Sequence, residues 1–165
     1  MKMKRLFQWL SLSALLACAG CQSPPAPEPS AQKPFDEHVS GKTLLNDALV
    51  RAQTESKRVL LLFGANWCPY CKALNDLMAS DVTVREIVEK SYVVVRIDVG
   101  SSDGNRNTAL IDRYEAPVFR DGIPALVITD AKGNRLAPNR DNPWTLKDST
   151  GTDRVIAFLK QGQSQ

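Results

Sequence analysis

The spacing of apolar side chains changes along the chain, and each change marks a different element. Leu6 to Ala17 is apolar except for Gln8, Ser11 and Ser13, whereas residues 22 to 34 hold Pro24, Pro25, Pro27, Pro29 and Pro34 among small and polar residues. From Thr43, the recurrence of Leu44, Leu45, Ala48, Leu49 and Ala52 predicts a helix with one apolar face. The run Val59 to Gly64 predicts a strand. Ala73, Leu74, Leu77 and Met78 then continue a helical stripe, and Thr83-Val84-Arg85-Glu86 predicts a capping box opening a second short helix with Val84, Ile87 and Val88. Tyr92 to Val99 is β-branched and nearly continuous, the pattern of a strand covered on both faces.

A Gly/Ser/Asn-rich loop, Gly100 to Asn107, leads to a short helical segment ending near Tyr114. Ile123 to Thr129, the turn Asp130 to Asn134 and a short strand from Arg135 to Ala137 together predict a hairpin. Residues 138 to 150 read as irregular. A last helix from Thr152 carries Val155, Ile156, Phe158 and Leu159 on one side, with a polar tail expected to fray from Gln161. The strand, helix, strand order makes this an α/β protein. Its divisions are a leader at 1–17, a Pro-rich tether at 18–40, one domain at 41–161 and a frayed tail at 162–165.

The leader combines Lys2, Lys4 and Arg5 with an apolar stretch shorter than the roughly 20 residues a membrane helix needs, which is the form of a secretory signal. Its end, Leu15-Leu16-Ala17-Cys18-Ala19-Gly20-Cys21, resembles a bacterial lipobox, in which a Cys becomes lipidated and N-terminal. Cys18 is the favoured lipidation residue, with Leu15 three positions before it. Cys21 is the alternative, because cleavage there would leave no stray thiol in an oxidising compartment. The expectation is a cell-envelope lipoprotein facing the periplasm, held to the membrane by a lipid anchor, or a soluble periplasmic protein if not lipidated.

The formal charge of +3 resides in the leader: without Lys2, Lys4 and Arg5 the 21 basic residues become 18, against 18 acidic ones. No basic surplus remains to bind phosphates, so no nucleic-acid partner is expected.

Candidate chemistry concentrates at Trp67-Cys68-Pro69-Tyr70-Cys71-Lys72, directly after the predicted strand. The spacing puts both sulfurs within one turn, close enough to form and break a disulfide. A helix N-terminus also favours a thiolate on the first. A structural zinc site is excluded by count: the other two of the four cysteines lie in or beside the leader, and His38 is the sole histidine. The same count leaves no His to act as a base. Asp98, Asp103, Asn105 and Asn107 crowd one loop but lack a calcium loop's glycine and final carboxylate, Thr108 and Tyr114 standing there instead, so no metal is expected. Trp144 reads as a packing anchor.

Phe63-Gly64-Ala65-Asn66-Trp67-Cys68-Pro69-Tyr70-Cys71-Lys72 together with Gly122-Ile123-Pro124 resembles the thioredoxin-fold family. More narrowly, the Gly-Ala-Asn-Trp-Cys opening, Arg96-Ile97-Asp98-Val99-Gly100 and Asp121-Gly122-Ile123-Pro124-Ala125 look like the bacterial exported thioredoxin-like proteins called disulfide-isomerase-like. The resemblance covers residues 43 to about 137. It implies a thioredoxin fold, with a central mixed β-sheet flanked by helices, and a thiol-disulfide oxidoreductase or isomerase that needs no cofactor beyond the Cys68/Cys71 disulfide. Cys68, partly exposed, would be the nucleophile and Cys71, more buried, the resolving thiol. Pro69 would suit the first helical turn, Trp67 would pack beside the sulfurs, and Tyr70 completes the active-site stretch. Pro124 would be cis, with Ile123 offering its backbone to an extended substrate segment.

Two departures from thioredoxin follow from the same resemblance. Leu62 stands where thioredoxins place a buried Asp that assists proton transfer, leaving Glu55, Asp76 and Lys72 as nearby groups. Pro69-Tyr70 is the glutaredoxin dipeptide, which implies a potential roughly 40 to 70 mV less reducing than thioredoxin's. The implied partners are exported proteins with cysteines and a redox partner not identified by the sequence. A glutathione-dependent, glutaredoxin-like enzyme and a non-catalytic binding lipoprotein are the alternatives. Against the first, the glutaredoxin Thr-Val-Pro and Gly-Gly-x-Asp patterns are missing; against the second, a binding module has no need of the cysteines.

Overall fold

The computed structural model describes residues 33–101, 104–136 and 151–163. The leader, Cys18, Cys21, the first part of the tether, Asp103, residues 137–150 with Trp144, and the last two residues lie outside these.

Strand β1 (Arg58–Gly64) is central. It pairs in parallel with β2 (Tyr92–Asp98) on one side and antiparallel with β5 (Ala125–Thr129) on the other. Successive strand side chains point to opposite faces, and here both faces are covered. Val59, Leu61 and Phe63, with Val93, Val95, Ile97, Ala125 and Val127, meet α1 (Gly41–Thr54) and α4 (Thr108–Arg113). Leu60, Leu62, Tyr92, Leu126 and Ile128 meet the opposite layer: α2 (Pro69–Ser80), α3 (Val82–Ser91) and α6 (Thr152–Gln163). The route from β1 through α2 and α3 to β2 is the helical crossover that parallel pairing demands. A mixed sheet between helices is the thioredoxin architecture. Among the described residues, no helix is long and apolar enough to cross a membrane.

Helix α1 starts where the Ser40 hydroxyl accepts the Thr43 N–H at 3.1 Å. The second helical start differs from the expected capping box at Thr83. Asp81 caps α3 by accepting the Val84 N–H at 2.9 Å, while its own N–H closes α2 on the Leu77 carbonyl at 3.0 Å. One residue thus ends one helix and opens the next, which leaves Thr83 already inside the first turn.

The expected loop after β2 contains two-residue strands, β3 (Gly100–Ser101) and β4 (Gly104–Asn105), paired antiparallel. A short helix α5 (Val118–Asp121) precedes β5. Among the described residues, the expected hairpin after β5 shows one bridge between Thr129 and Arg135, with bonds from the Leu136 N–H to the Ile128 carbonyl at 3.0 Å and from the Asp130 N–H to the Asn134 carbonyl at 2.9 Å. Its turn is held by the Asp130 carboxylate, which accepts the Lys132 and Asn134 N–H groups, each at 2.8 Å. Helix α6 continues to Gln163, past the residue where fraying was expected. Gly162 is buried against Ile128 and the Tyr92 hydroxyl, and the Gln163 amide donates to Ser91 Oγ at 2.6 Å.

The end of the expected tether, residues 33–40, packs on the domain. Phe35 is buried in the cluster that contains both cysteines.

Candidate active site

Helix α2 begins five residues after the end of β1, and the connecting residues Ala65, Asn66 and Trp67 carry the chain from the C-terminal end of the central strand to Cys68. Cys68 has extended backbone and is the N-cap of α2: its Sγ accepts the Cys71 N–H at 3.2 Å, and its carbonyl accepts the Lys72 N–H, also at 3.2 Å. Pro69 occupies the first helical turn, where a missing N–H leaves no bond unmade. The two sulfurs form a disulfide with a Cα–Cα separation of 5.3 Å. A thiolate at Cys68 would therefore sit at the positive end of the α2 dipole with a backbone donor already aimed at it.

Cys68 is more enclosed than the sequence implied, 3% exposed and not partly open, while Cys71, expected to be the more buried, is fully buried. Exposure falls instead on their neighbours, with Trp67 60% and Tyr70 46% exposed. The Trp67 indole N–H donates to the Gly100 carbonyl at 2.8 Å, tying the residue before Cys68 to the loop that follows β2.

The Ile123–Pro124 peptide bond is cis. Pairing of Phe63 with Ala125 brings the start of β5 alongside the end of β1, and the Ile123 carbonyl lies 3.6 Å from Cys68 Sγ. Two segments 55 residues apart in sequence thus meet at one sulfur. Phe119, on α5 just upstream, is 59% exposed.

Behind the disulfide the lining is apolar: Phe35, Leu62, Leu74 and Met78 share a cluster with both cysteines. Leu62 is fully buried and brings no carboxylate there. Of the nearby charged groups considered for proton transfer, Glu55 precedes β1, at the end away from the cysteines, and pairs with Lys57 at 2.7 Å. Asp76 accepts from the Asn75 amide at 3.3 Å. Asn75, one helical turn beyond Cys71, also accepts a 2.7 Å bond from Nε of Arg96, whose backbone pairs with Leu62 and whose guanidinium pKa is lowered by burial.

Asp98, 5% exposed, pairs with Gly64 across the sheet. Burial raises its carboxyl pKa above the ordinary value, opposed by the Gly100 N–H at 3.1 Å and by Arg106 at 3.9 Å. It lines a cleft of about 150 Å³ with Glu37, Trp67, Gly100 and Arg106. Asn107, in the same acidic loop, is a structural tie, bonded to the Asp98 carbonyl at 2.7 Å and the Gly41 N–H at 2.9 Å. Among the described residues, no group of three or more His, Cys, Asp or Glu side chains is placed to hold a metal. Sequence reasoning missed Phe35 and the Asn75–Arg96 pair. Each is made by residues far apart in the chain, and only an aromatic at the end of a polar segment hinted at the first.

A sequence model of a family described as thioredoxin-like matches residues 42–131. The thiol:disulfide interchange protein DsbD of Ralstonia nicotianae is 32% identical over 132 residues, covering 80% of this chain and 19% of that protein. DsbD of Colwellia psychrerythraea is 27% identical over 111 residues, 67% of this chain and 17% of that one. The chain therefore spans about a fifth of the length of these relatives. Among solved structures, the disulphide isomerase of Xylella fastidiosa superposes with a TM-score of 0.66 at 28% identity, covering 82% of this chain and 100% of that one.

Proposed function

The chain belongs to the thioredoxin-like family of thiol-disulfide oxidoreductases, and from that premise we propose that it reduces or isomerises disulfides of exported proteins in the periplasm. The position of Cys68 carries this reading: its sulfur caps α2, accepts the Cys71 N–H and lies 3.6 Å from the carbonyl that precedes cis-Pro124. In the reduced protein the Cys68 thiolate attacks one sulfur of a substrate disulfide, forming a mixed disulfide and expelling the other substrate sulfur as a thiolate, which takes up a proton. Cys71, on losing its proton, attacks Cys68 Sγ. The Cys68–Cys71 disulfide closes, the second substrate thiol leaves, and two electrons have passed to the substrate. In isomerisation a substrate thiol attacks the mixed disulfide before Cys71 does, and the enzyme stays reduced.

Ile123 would pair its backbone with an extended substrate segment, so affinity would come from main-chain bonds, little dependent on substrate side chains. The exposed Trp67, Tyr70 and Phe119 offer apolar surface to a partly unfolded client. The reductase direction requires an external dithiol partner to restore the reduced form. Location follows from the secretory leader, and attachment to the membrane from lipidation at Cys18 or Cys21. Alkylation trapping of the exported fraction tests the direction of exchange. A resting state that is mostly reduced supports reductase or isomerase work, and a mostly oxidised one means an oxidase instead.

A further inference from the structure

Gly64 is the last residue of β1 and points toward the dithiol. A Cβ placed there would overlap Cζ and Cε1 of Phe35 and come within 3.1 Å of Cys71 Sγ. The Phe35 ring and the buried sulfur therefore converge on the one position of β1 that carries no side chain. Phe35 is 1% exposed although it comes from a segment without helix or strand. Asn66, in the loop that leads to Cys68, holds that segment. Its side-chain Oδ1 accepts the Phe35 N–H at 3.1 Å, and its side-chain Nδ2 donates to the Phe35 carbonyl and to Glu37 Oε1, each at 2.8 Å. Arg106 closes the far side by donating to the Glu37 carbonyl. Both backbone polar groups of Phe35 are thus bonded by a residue two positions before the first cysteine of the pair.

We propose that Phe35 is a positioning residue for exchange at Cys68 and Cys71, its clamped ring forming the wall that keeps water and external reagents from Cys71. The wall has a chemical consequence. Excluding water disfavours the charged form of a buried thiol, so Cys71 stays protonated and unreactive toward outside electrophiles, and its reaction is reserved for the adjacent Cys68 sulfur. A cysteine that resolves only its partner's mixed disulfide needs this seclusion, because a second open thiol would capture substrates itself. The purpose assigned to the wall rests on the exchange reaction proposed above. The accessibility of Cys71 is measured without any substrate.

The test uses the reduced full chain, pulsed with iodoacetamide from pH 6 to 10, with the initial alkylation rate of each cysteine resolved by peptide mass spectrometry. In Phe35→Ala the Cys71 rate at pH 7 is expected to rise severalfold as water and the reagent reach the sulfur. Cys68 should change less than about twofold, and Phe35→Leu should fall between Phe35→Ala and wild type. Equal acceleration of both cysteines, or an unchanged Cys71 rate, would overturn the proposal. If Phe35→Ala lacks a cooperative thermal transition, Asn66→Ala, which keeps the ring and releases the clamp, decides: selective acceleration of Cys71 supports the wall and an unchanged rate overturns it. A disulfide-exchange assay on wild type runs alongside. Failure there would remove the proposed function and leave the alkylation pattern to decide on Phe35.

Discussion

Replacing Tyr92 by Phe should weaken the protein at neutral pH and strengthen it in alkali, with the two stability curves crossing near pH 11. The Tyr92 hydroxyl is buried and donates a 2.5 Å bond to the Leu159 carbonyl, tying β2 to α6 on the sheet face that carries the dithiol. Losing a neutral buried hydrogen bond costs about 1 kcal/mol. Burial also pushes the phenol pKa up from 10.0 to about 12. A raised acid pKa means the folded state holds its proton longer than the unfolded chain. This contribution is complete below the unfolded value near 10 and is lost as pH rises toward 12. At about 1.36 kcal/mol per pH unit, wild type loses about 1.4 kcal/mol by pH 11 and between 2 and 3 kcal/mol beyond pH 12. The phenylalanine variant loses nothing at this site. Tyr114, whose pKa is also raised by burial, titrates in both proteins and cancels in the difference. Urea denaturation at intervals from pH 7 to 11.5 measures it. Parallel curves with no convergence would refute the reasoning.

Other sites give equally direct tests. Asp81→Ala should lower stability by about 0.5 to 2 kcal/mol through loss of the α3 cap, whereas Thr83→Ala should change little; denaturant midpoints that rank them the other way would restore the capping box to Thr83. Asp98→Asn should stabilise the protein at pH 7, since burial raises the Asp98 carboxyl pKa and the folded state prefers it neutral. That gain should vanish as the pH falls below the unfolded carboxyl value, where wild type is already protonated, and a destabilised variant at pH 7 would contradict this. Equilibration of Cys68/Cys71 in glutathione buffers should give a potential roughly 40 to 70 mV above thioredoxin's. A value at or below thioredoxin's would mean that Pro69-Tyr70 does not set the potential.

Local pattern made much of the fold legible. The run from Val59 to Gly64 and the β-branched Tyr92 to Asp98 are strands buried on both faces, and Leu45, Ala48 and Ala52 do face the sheet. The paired cysteines and Pro124 were visible because their spacing and neighbours have few other uses. What escaped was decided by distant contacts. Asp81 prevailed over Thr83 because α2 and α3 share a single linking residue, a fact of packing. The Trp67 indole is fixed by a carbonyl 33 residues away. Phe35 ends a segment whose prolines and polar residues resemble a tether. The missing side chain at Gly64 and the amide of Asn66 seat Phe35 in the domain.

The division of labour between the two sulfurs is the centre of the account, and trapping tests it most directly. Cys71→Ser, expressed with its leader and recovered from the exported fraction without reductant, should accumulate adducts that a thiol reductant releases. The Cys68→Ser, Cys71→Ser double variant should show none. Absence of adducts in Cys71→Ser, or adducts that persist when Cys68 is also replaced, would contradict the assignment of Cys68 as the attacking thiol.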